Sequence, residues 1–142
     1  MRSLTVTGTL EALGAIAGYV KAVAERAGLD RQAAYNLRLA VDEVTTNIIV
    51  HGYHEAGIEG QLHLFACIED DSLTIFVEDT GMTYNPQQVQ ARALQAVEQP
   101  PELRPLGGLG IFLAMESVDR FAYERVNGFN RTILSVDLVP SQ

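Results

Sequence analysis

Residues 37–53 read LRLAVDEVTTNIIVHGY, and the rest of the chain is arranged around this stretch. At about 100° per residue, Leu37, Val41, Val44 and Ile48 form one apolar stripe, which is typical of the core-facing side of a helix. A second, polar stripe on the flank consists of Asn36, Glu43, Asn47 and His51. A carboxylate and an amide one turn apart on a largely buried helix are unfavourable unless something pairs with them. Taken alone, this stripe is equally consistent with local side-chain hydrogen bonds and with a binding site.

The bulk composition excludes several classes of protein. A chain of 142 residues predicts a single domain, residues 1–142. The formal charge of -8 argues against general binding to nucleic acid phosphates. No apolar run approaches the roughly 20 residues of a membrane span, and the N-terminus lacks a signal-peptide pattern. We therefore expect a cytoplasmic protein, in which the lone Cys67, inside an apolar run, is a small core residue.

Periodicity and turn signals predict an α+β fold with helices layered on one sheet. Four of the five prolines fall within residues 82–106, which are predicted to form a functional lid. Asn127-Gly128 is a strong hairpin signal, and Asp30 is a good helix N-cap. The predicted strands cover residues 3–7, 61–68, 73–78, 121–126 and 131–138, and the predicted helices cover residues 11–27, 30–52 and 111–118.

Two strands carry polar side chains on their predicted inward faces. In the strand at 73–78, the period of two places Asp79 on the inward face. An inward carboxylate needs hydrogen-bond donors, and an adenine amino group is one such donor. Gly81 would let a flat ring approach the backbone closely, although an isolated Asp-x-Gly is more often a solvated turn. Thr132 is predicted to point inward in the last strand.

Two further groups offer chemistry to a phosphate. The motif GGLG at residues 107–110 opens a predicted helix, where exposed amides and the helix dipole attract anions. A flexible hinge is an equally consistent interpretation of these glycines. On the central helix, the amide of Asn47 can bind Mg²⁺, which prefers hard oxygen ligands. The carboxylate of Glu43, one turn away, can accept a proton from an attacking hydroxyl or water.

The order E-x-x-x-N, D-x-G and G-G-L-G resembles the N, G1 and G2 boxes of the GHKL superfamily of ATP-binding domains. More narrowly, LRLAVDEVTTNIIVHGY, VEDTGMTYNP and GGLGIFLAMESVDRFAYERVNGFNRTIL are similar to the single-domain anti-sigma factor serine kinases of bacteria. The resemblance covers about residues 3–138. It implies the Bergerat fold, a two-layer α/β sandwich with a mixed, mostly antiparallel sheet, helices on one face and an ATP lid.

The resemblance also implies roles for matching positions. Glu43 would be the general base and Asn47 the Mg²⁺ ligand. Asp79 would accept the adenine amino group, with Gly81 under the ring and Thr132 supporting through a hydroxyl or a water.

The phosphate end of the implied site involves the lid and the glycine-rich turn. Gly107, Gly108 and Gly110 would hold the phosphates, and Arg104 is the nearest lid cation to the γ-phosphate. His51 lies where the family often has a site residue, but we favour a helix-end histidine satisfied by its neighbours.

Thr83 and Asp42 distinguish this chain from the general family pattern. Thr83 stands where many GHKL proteins have the second glycine of D-x-G-x-G. The anti-sigma kinases commonly lack that glycine as well, which favours the narrower family over histidine kinases. Asp42 adds a second carboxylate beside Glu43, but it points about 100° away. Glu43 therefore remains the expected base.

The resemblance implies a protein serine/threonine kinase with ATP and Mg²⁺ as cofactors. Its substrate would be a STAS-type anti-anti-sigma protein, which competes with a sigma factor for a homodimeric kinase. No direct contact with nucleic acid or membrane is expected. The alternative is a nucleotide-responsive binding module that holds a partner without phosphotransfer. An ATPase subunit like that of MutL or gyrase is less favoured, because those proteins carry extra domains.

Overall fold

A computed structural model of the chain describes residues 2–83 and 108–138. Five strands form one sheet in the spatial order β1-β2-β3-β5-β4, and all of its pairings are antiparallel. The strands are β1 (Leu4–Thr7), β2 (Gln61–Ile68), β3 (Ser72–Asp79), β4 (Arg120–Val126) and β5 (Phe129–Asp137). The helices are a 3-10 turn (Leu10–Ala12), α1 (Leu13–Ala27), α2 (Arg31–Asn47), a π-helix (Ile48–His54) and α3 (Gly108–Ser117).

The boundary between α1 and α2 follows from local chemistry. Gly28 ends α1 with φ 75°, in the left-handed region that favours glycine. Asp30 then caps α2, because its carboxylate accepts a hydrogen bond of 2.8 Å from the amide of Ala33. The predicted N-cap at Asp30 and the predicted end of the first helix at residue 27 are both confirmed.

The central helix changes its winding after Asn47. Helical winding extends to His54, close to the predicted end at about residue 52, but from Ile48 it is a π-helix, which the sequence did not predict. The amide of Glu55 donates to the carbonyl of Val50 at 2.9 Å, a separation of five residues that is characteristic of π-helical winding. Within the π-helix, Gly52 and Tyr53 are buried, while His51 is exposed.

One continuous apolar core lies between the helices and one face of the sheet. Leu37, Val41 and Val44 of α2 are fully buried, as the apolar stripe predicts. Leu62 and Leu64 of β2 face them from the sheet. The helices thus cover one face only, and the α+β two-layer arrangement is confirmed.

Cys67 is exposed, so its predicted place in the core is wrong. The period of two in β2 puts Cys67 on the same face as Phe65, away from the helices. On that outer face, Phe65 stacks on Phe76 of β3 with ring centroids 4.7 Å apart. An apolar run identifies a strand, but only the parity within the run identifies the side that is buried.

In the C-terminal half, the elements are as predicted but their boundaries differ by up to three residues. The helix α3 begins at Gly108 rather than at residue 111, so Gly108 and Gly110 belong to its first turn. The hairpin between β4 and β5 is confirmed, with positive φ at Asn127 (50°) and Gly128 (90°). Most of the predicted lid, residues 84–106, lies outside the described residues. Among residues 2–83 and 108–138, no helix has the length and apolarity that crossing a bilayer requires.

Candidate functional site

The carboxylate of Asp79 lies at the inward end of β3 and is 4% exposed. Its Oδ1 accepts two hydrogen bonds of 2.9 Å, from the amide of Gly81 and from Nδ2 of Asn130. Its Oδ2 is buried and has no hydrogen-bond partner among the described residues. Burial raises the pKa of this carboxyl above its usual range, although the hydrogen bonds from Asn130 and Gly81 and the nearby charge of Arg125 oppose the shift.

A second buried oxygen without a partner lies on the neighbouring strand. Thr132 is 0% exposed, and its Oγ1 makes no hydrogen bond within the described part of the chain. It pairs in register with Val77, two residues before Asp79 on the same face of β3. Buried polar atoms in native proteins are almost always paired, so two orphaned oxygens on one face call for a polar ligand. An acceptor beside a hydroxyl suits the edge of a heterocycle that carries an amino group next to a ring nitrogen.

The Asp-x-Gly turn packs against the π-helix. A Cβ on Gly81 would meet the carbonyl oxygen of Gly52 at 2.8 Å, so no larger residue can occupy this position without displacing backbone. The amide of Met82 donates to the same carbonyl at 2.8 Å. This turn is therefore not a solvated one. The close approach that Gly81 permits within the described residues is to backbone of the central helix, and its predicted place beneath a purine ring stays a prediction.

The middle of the central helix contacts α3. The carboxylate of Glu43 lies directly against Gly110, where a Cβ would collide with Oε2 and would come within 3.0 Å of Cδ. Glu43 is therefore next to the first turn of α3. Burial raises the pKa of the Glu43 carboxyl, and the neighbouring charge of Asp42 adds to the shift. A raised pKa makes this carboxylate a stronger proton acceptor.

The two contacts of the central helix define an elongated site. Glu43 touches α3 and Gly52 touches the turn after β3. These residues are nine positions apart on continuous helical winding, which separates them by about 13 Å. A ligand that reached both ends would have a flat polar group at one end and a group suited to a helix N-terminus at the other.

The donors for a metal ion are sparse. Asn47 is partly buried at the last residue of α2 and offers one amide oxygen. Within the described ranges, no group of three or more His, Cys, Asp or Glu side chains is placed to hold a metal. This donor set fits Mg²⁺ only if phosphate oxygens supply further ligands, which is the usual mode of binding for that ion.

Of the four remaining predicted residues, the structure describes two, His51 and Gly108. His51 is exposed and its Nδ1 lies 2.7 Å from Oε2 of Glu55, in agreement with a histidine satisfied by its neighbours. Gly108 is the first residue of α3. Arg104 and Gly107 lie outside the described residues, so their predicted roles are not tested.

The role of Asn130, whose amide holds Asp79, was not predicted from the sequence. Asn130 is 1% exposed and pairs with Asp79 in register across β3 and β5. The signal was available, because Asn130 has the same strand parity as Thr132 and must point inward with it. Its partners Arg125 and Tyr123 come from β4 and were not predictable from the spacing of motifs.

A separate groove of about 850 Å³ lies between the chain after β1 and the end of the π-helix. None of the predicted site residues that the structure describes lines it. The Tyr53 hydroxyl at its edge is already satisfied, since it donates to the carbonyl of Gln61 at 2.6 Å and accepts from the amide of Thr80 at 2.9 Å. We therefore place the candidate site at Asp79 and Thr132, where the polar atoms are unsatisfied.

Similar known proteins support the fold described above. Residues 6–136 match the family model of the histidine kinase-like ATPase domain. The serine-protein kinase RsbW of Halalkalibacterium halodurans is 27% identical over 128 residues, covering 88% of this chain and 76% of that protein. The serine-protein kinase RsbW of Listeria monocytogenes is 30% identical over 98 residues, covering 68% of this chain. The match spans 62% of the Listeria protein, which is less than two thirds of its length.

A solved structure supports the same fold. The histidine kinase domain of a blue-light activated histidine kinase from Erythrobacter litoralis superposes with a TM-score of 0.53 at 18% identity, over 87% of this chain and 60% of that chain. At this identity the likeness concerns the fold alone. The match over residues 6–136 is broader, and it shows that the chain belongs to the histidine kinase-like ATPase domain family, of the GHKL type.

Proposed function

We propose that the protein binds Mg-ATP and transfers the γ-phosphoryl group to a serine or threonine hydroxyl of a partner protein. The observation that carries the nucleotide part is the pair of buried, unpartnered oxygens on Asp79 and Thr132. The relatives named serine-protein kinases support the transfer part. Membership of the ATPase domain family supports ATP as the nucleotide.

At the base end of the site, the Oδ2 atom of Asp79 accepts a hydrogen bond from the 6-amino group of adenine. The Thr132 hydroxyl serves the adjacent ring nitrogen, directly or through a water. Each contact satisfies a buried atom that the described chain leaves unpaired, so binding removes an unfavourable term of about 1–3 kcal/mol per group. This gain is specific to a ligand with the matching pattern of donor and acceptor.

At the phosphate end, Glu43 and the first turn of α3 do the chemistry. Glu43 accepts the proton of the attacking hydroxyl as the new oxygen–phosphorus bond forms and ADP departs. Asn47 would hold Mg²⁺ together with phosphate oxygens, and that ion neutralises charge on the phosphates. Gly108 and Gly110, with Gly107 and Arg104, contact the phosphates. Positioning and electrostatics supply most of the acceleration in phosphoryl transfer, which suits a site with one acid and many amides.

The partners that we propose follow from the resemblance to anti-sigma factor kinases. The phosphate acceptor is a STAS-type anti-anti-sigma protein, and a sigma factor competes for the same kinase, which acts as a homodimer in the cytoplasm. A ligand switches such a protein between partners only by binding one of the two bound states more tightly.

The test is transfer of labelled γ-phosphate to purified STAS-type proteins from the same organism, including any that a neighbouring reading frame encodes. We expect transfer by the wild type, loss of at least 100-fold in kcat for Glu43→Gln with ATP binding retained, and loss of ATP binding for Asp79→Asn. His51→Ala is the matched control on the same helix, because its side chain contacts Glu55 at the surface. If the wild type binds ATP and labels no STAS protein, the kinase proposal fails and the nucleotide-responsive binding module replaces it.

A further inference from the structure

We propose that Asn130 is a positioning residue for nucleotide recognition. Arg125 and Thr83 hold its side chain, and Asn130 in turn fixes the oxygen that Asp79 presents to the base. The fixed oxygen favours a 6-amino purine over a 6-oxo purine. This inference rests on the proposed nucleotide site. It concerns side chains that lie behind Asp79 and do not touch the ligand.

The amide of Asn130 is completely used. Its Nδ2 donates to Oδ1 of Asp79 at 2.9 Å and to the carbonyl of Gly81 at 3.1 Å. Its Oδ1 accepts from the hydroxyl of Tyr123 at 2.9 Å and from Nη1 of Arg125 at 2.7 Å. A reversed amide would put an NH₂ group against the guanidinium and an oxygen against the carboxylate. The orientation of this amide is therefore fixed by its partners.

Arg125 connects this amide to the turn after β3. The same Nη1 atom that bonds Asn130 also donates to the hydroxyl of Thr83 at 2.7 Å, and Nη2 donates to the carbonyl of Gly128 at 3.3 Å. Thr83 in turn lies 3.3 Å from Oδ1 of Asn130. Thr83 is the residue that replaces the second glycine of D-x-G-x-G. In this chain the replacement supplies an acceptor that a glycine lacks, and it ties the Asp-x-Gly turn to β4.

The arrangement leaves one functional oxygen on Asp79. Oδ1 is occupied by Gly81 and Asn130, so only Oδ2 remains to accept a hydrogen bond. A fixed single acceptor matches the 6-amino group of adenine. A 6-oxo purine presents an oxygen at that place and a donor at the adjacent ring nitrogen. A carboxylate that was free to rotate or shift could accept from that ring nitrogen instead, so holding it still creates the discrimination.

The experiment measures Kd for ATP and for inosine triphosphate, both with Mg²⁺, by calorimetry. For the wild type we expect ATP to bind at least tenfold more tightly than inosine triphosphate. In Asn130→Ala we expect ATP to bind about tenfold more weakly and the preference to fall at least threefold. Arg125→Met and Thr83→Val should change the preference in the same direction by smaller factors. Arg125 and Thr83 are exposed, so these two variants should fold even if Asn130→Ala does not.

The matched control is Arg131→Met, which removes an arginine from the same hairpin. Arg131 bonds Glu78 and Glu124 on the outer face of the sheet and makes no hydrogen bond to Asn130. We expect its preference for ATP to equal that of the wild type. The double variant Asn130→Ala/Arg125→Met should match Asn130→Ala alone, because Arg125 acts through the amide.

Three results would overturn the inference. The first is that folded Arg125→Met or Thr83→Val prefers ATP over inosine triphosphate by the same factor as the wild type. The second is that these variants lose affinity for ATP and for inosine triphosphate by the same factor, which indicates general damage to the fold. The third is a further loss from Arg125→Met in the Asn130→Ala background, which indicates that the arginine touches the nucleotide. Failure of the wild type to bind ATP at all would instead refute the proposed function, and the inference with it.

Discussion

Within residues 2–83 and 108–138, Asp79 and Thr132 each keep a buried oxygen without a partner, an arrangement that lowers stability unless a ligand completes it. We predict that Thr132→Val, which removes one unpaired hydroxyl and keeps the shape of the side chain, stabilises the ligand-free protein by up to about 1 kcal/mol. The same variant should bind ATP several-fold more weakly. Urea unfolding and calorimetric titration measure the two effects. A variant that is less stable and binds ATP normally would show that the hydroxyl is structural.

The carboxylates of Glu43 and Asp42 are neighbours in sequence, and their charges repel. Because burial and Asp42 both raise the pKa of Glu43, the base is protonated at a higher pH than an ordinary carboxyl. Asp42→Asn removes one of these causes, so the acidic limb of the profile of kcat/KM against pH should move to lower pH. Asp42→Glu keeps the charge and should leave the limb near its wild-type position. An unmoved limb in Asp42→Asn would mean that another group controls it.

At the scale of elements, the site depends on how closely α3 approaches α2. Gly110 is in contact with the Glu43 carboxylate, so a methyl group there must displace the carboxylate or the helix. We predict that Gly110→Ala lowers phosphotransfer at least tenfold, with a smaller effect on the affinity for ATP. Gly14→Ala is the matched control, because a Cβ at Gly14 in α1 meets no atom within 4 Å. That change should raise stability by about 0.5–1 kcal/mol and leave activity unchanged. Equal activity in both variants would contradict the role of the close contact.

The elements also show which features the sequence could predict. Asp79 and Thr132 were placed inward correctly because strand parity is a local property. The π-helix was missed because its winding accompanies tertiary contacts of Gly52 and Tyr53 with the turn after β3. Cys67 was misplaced because its apolar neighbours were weighted above its parity. The bracing of Asp79 by Asn130 and Arg125 joins three strands, and no spacing along one chain encodes such a contact.

At the scale of the whole molecule, the fold is that of the family, and the contacts around Asp79 are the support that we propose for the recognition of the base. The sheet face under the helices carries Asp79, Asn130 and Thr132 at one end of the central helix, and Glu43 contacts α3 near the middle of that helix. The stability of the ligand-free protein and the affinity for a nucleotide are therefore coupled through buried polar groups. As the pH rises, the contribution of Asp79 to the stability of the ligand-free protein decreases, whereas the affinity for the nucleotide increases.

The pH dependence of ATP-induced stabilisation tests this coupling. The pKa of Asp79 is raised in the folded protein, so the folded state holds its proton at a pH where the unfolded carboxyl, with a pKa of about 4, has lost it. The contribution of Asp79 to stability is thus present below about pH 4 and is lost as the pH rises through the raised pKa. Binding of adenine needs the ionised form and strengthens over the same range, where the charge of Arg125 assists ionisation. We expect the rise in Tm caused by millimolar Mg-ATP to grow with pH in the wild type and to be absent at every pH in Asp79→Asn. A rise in Tm that shrinks as the pH increases would contradict the assignment of Asp79 as the acceptor of the adenine amino group.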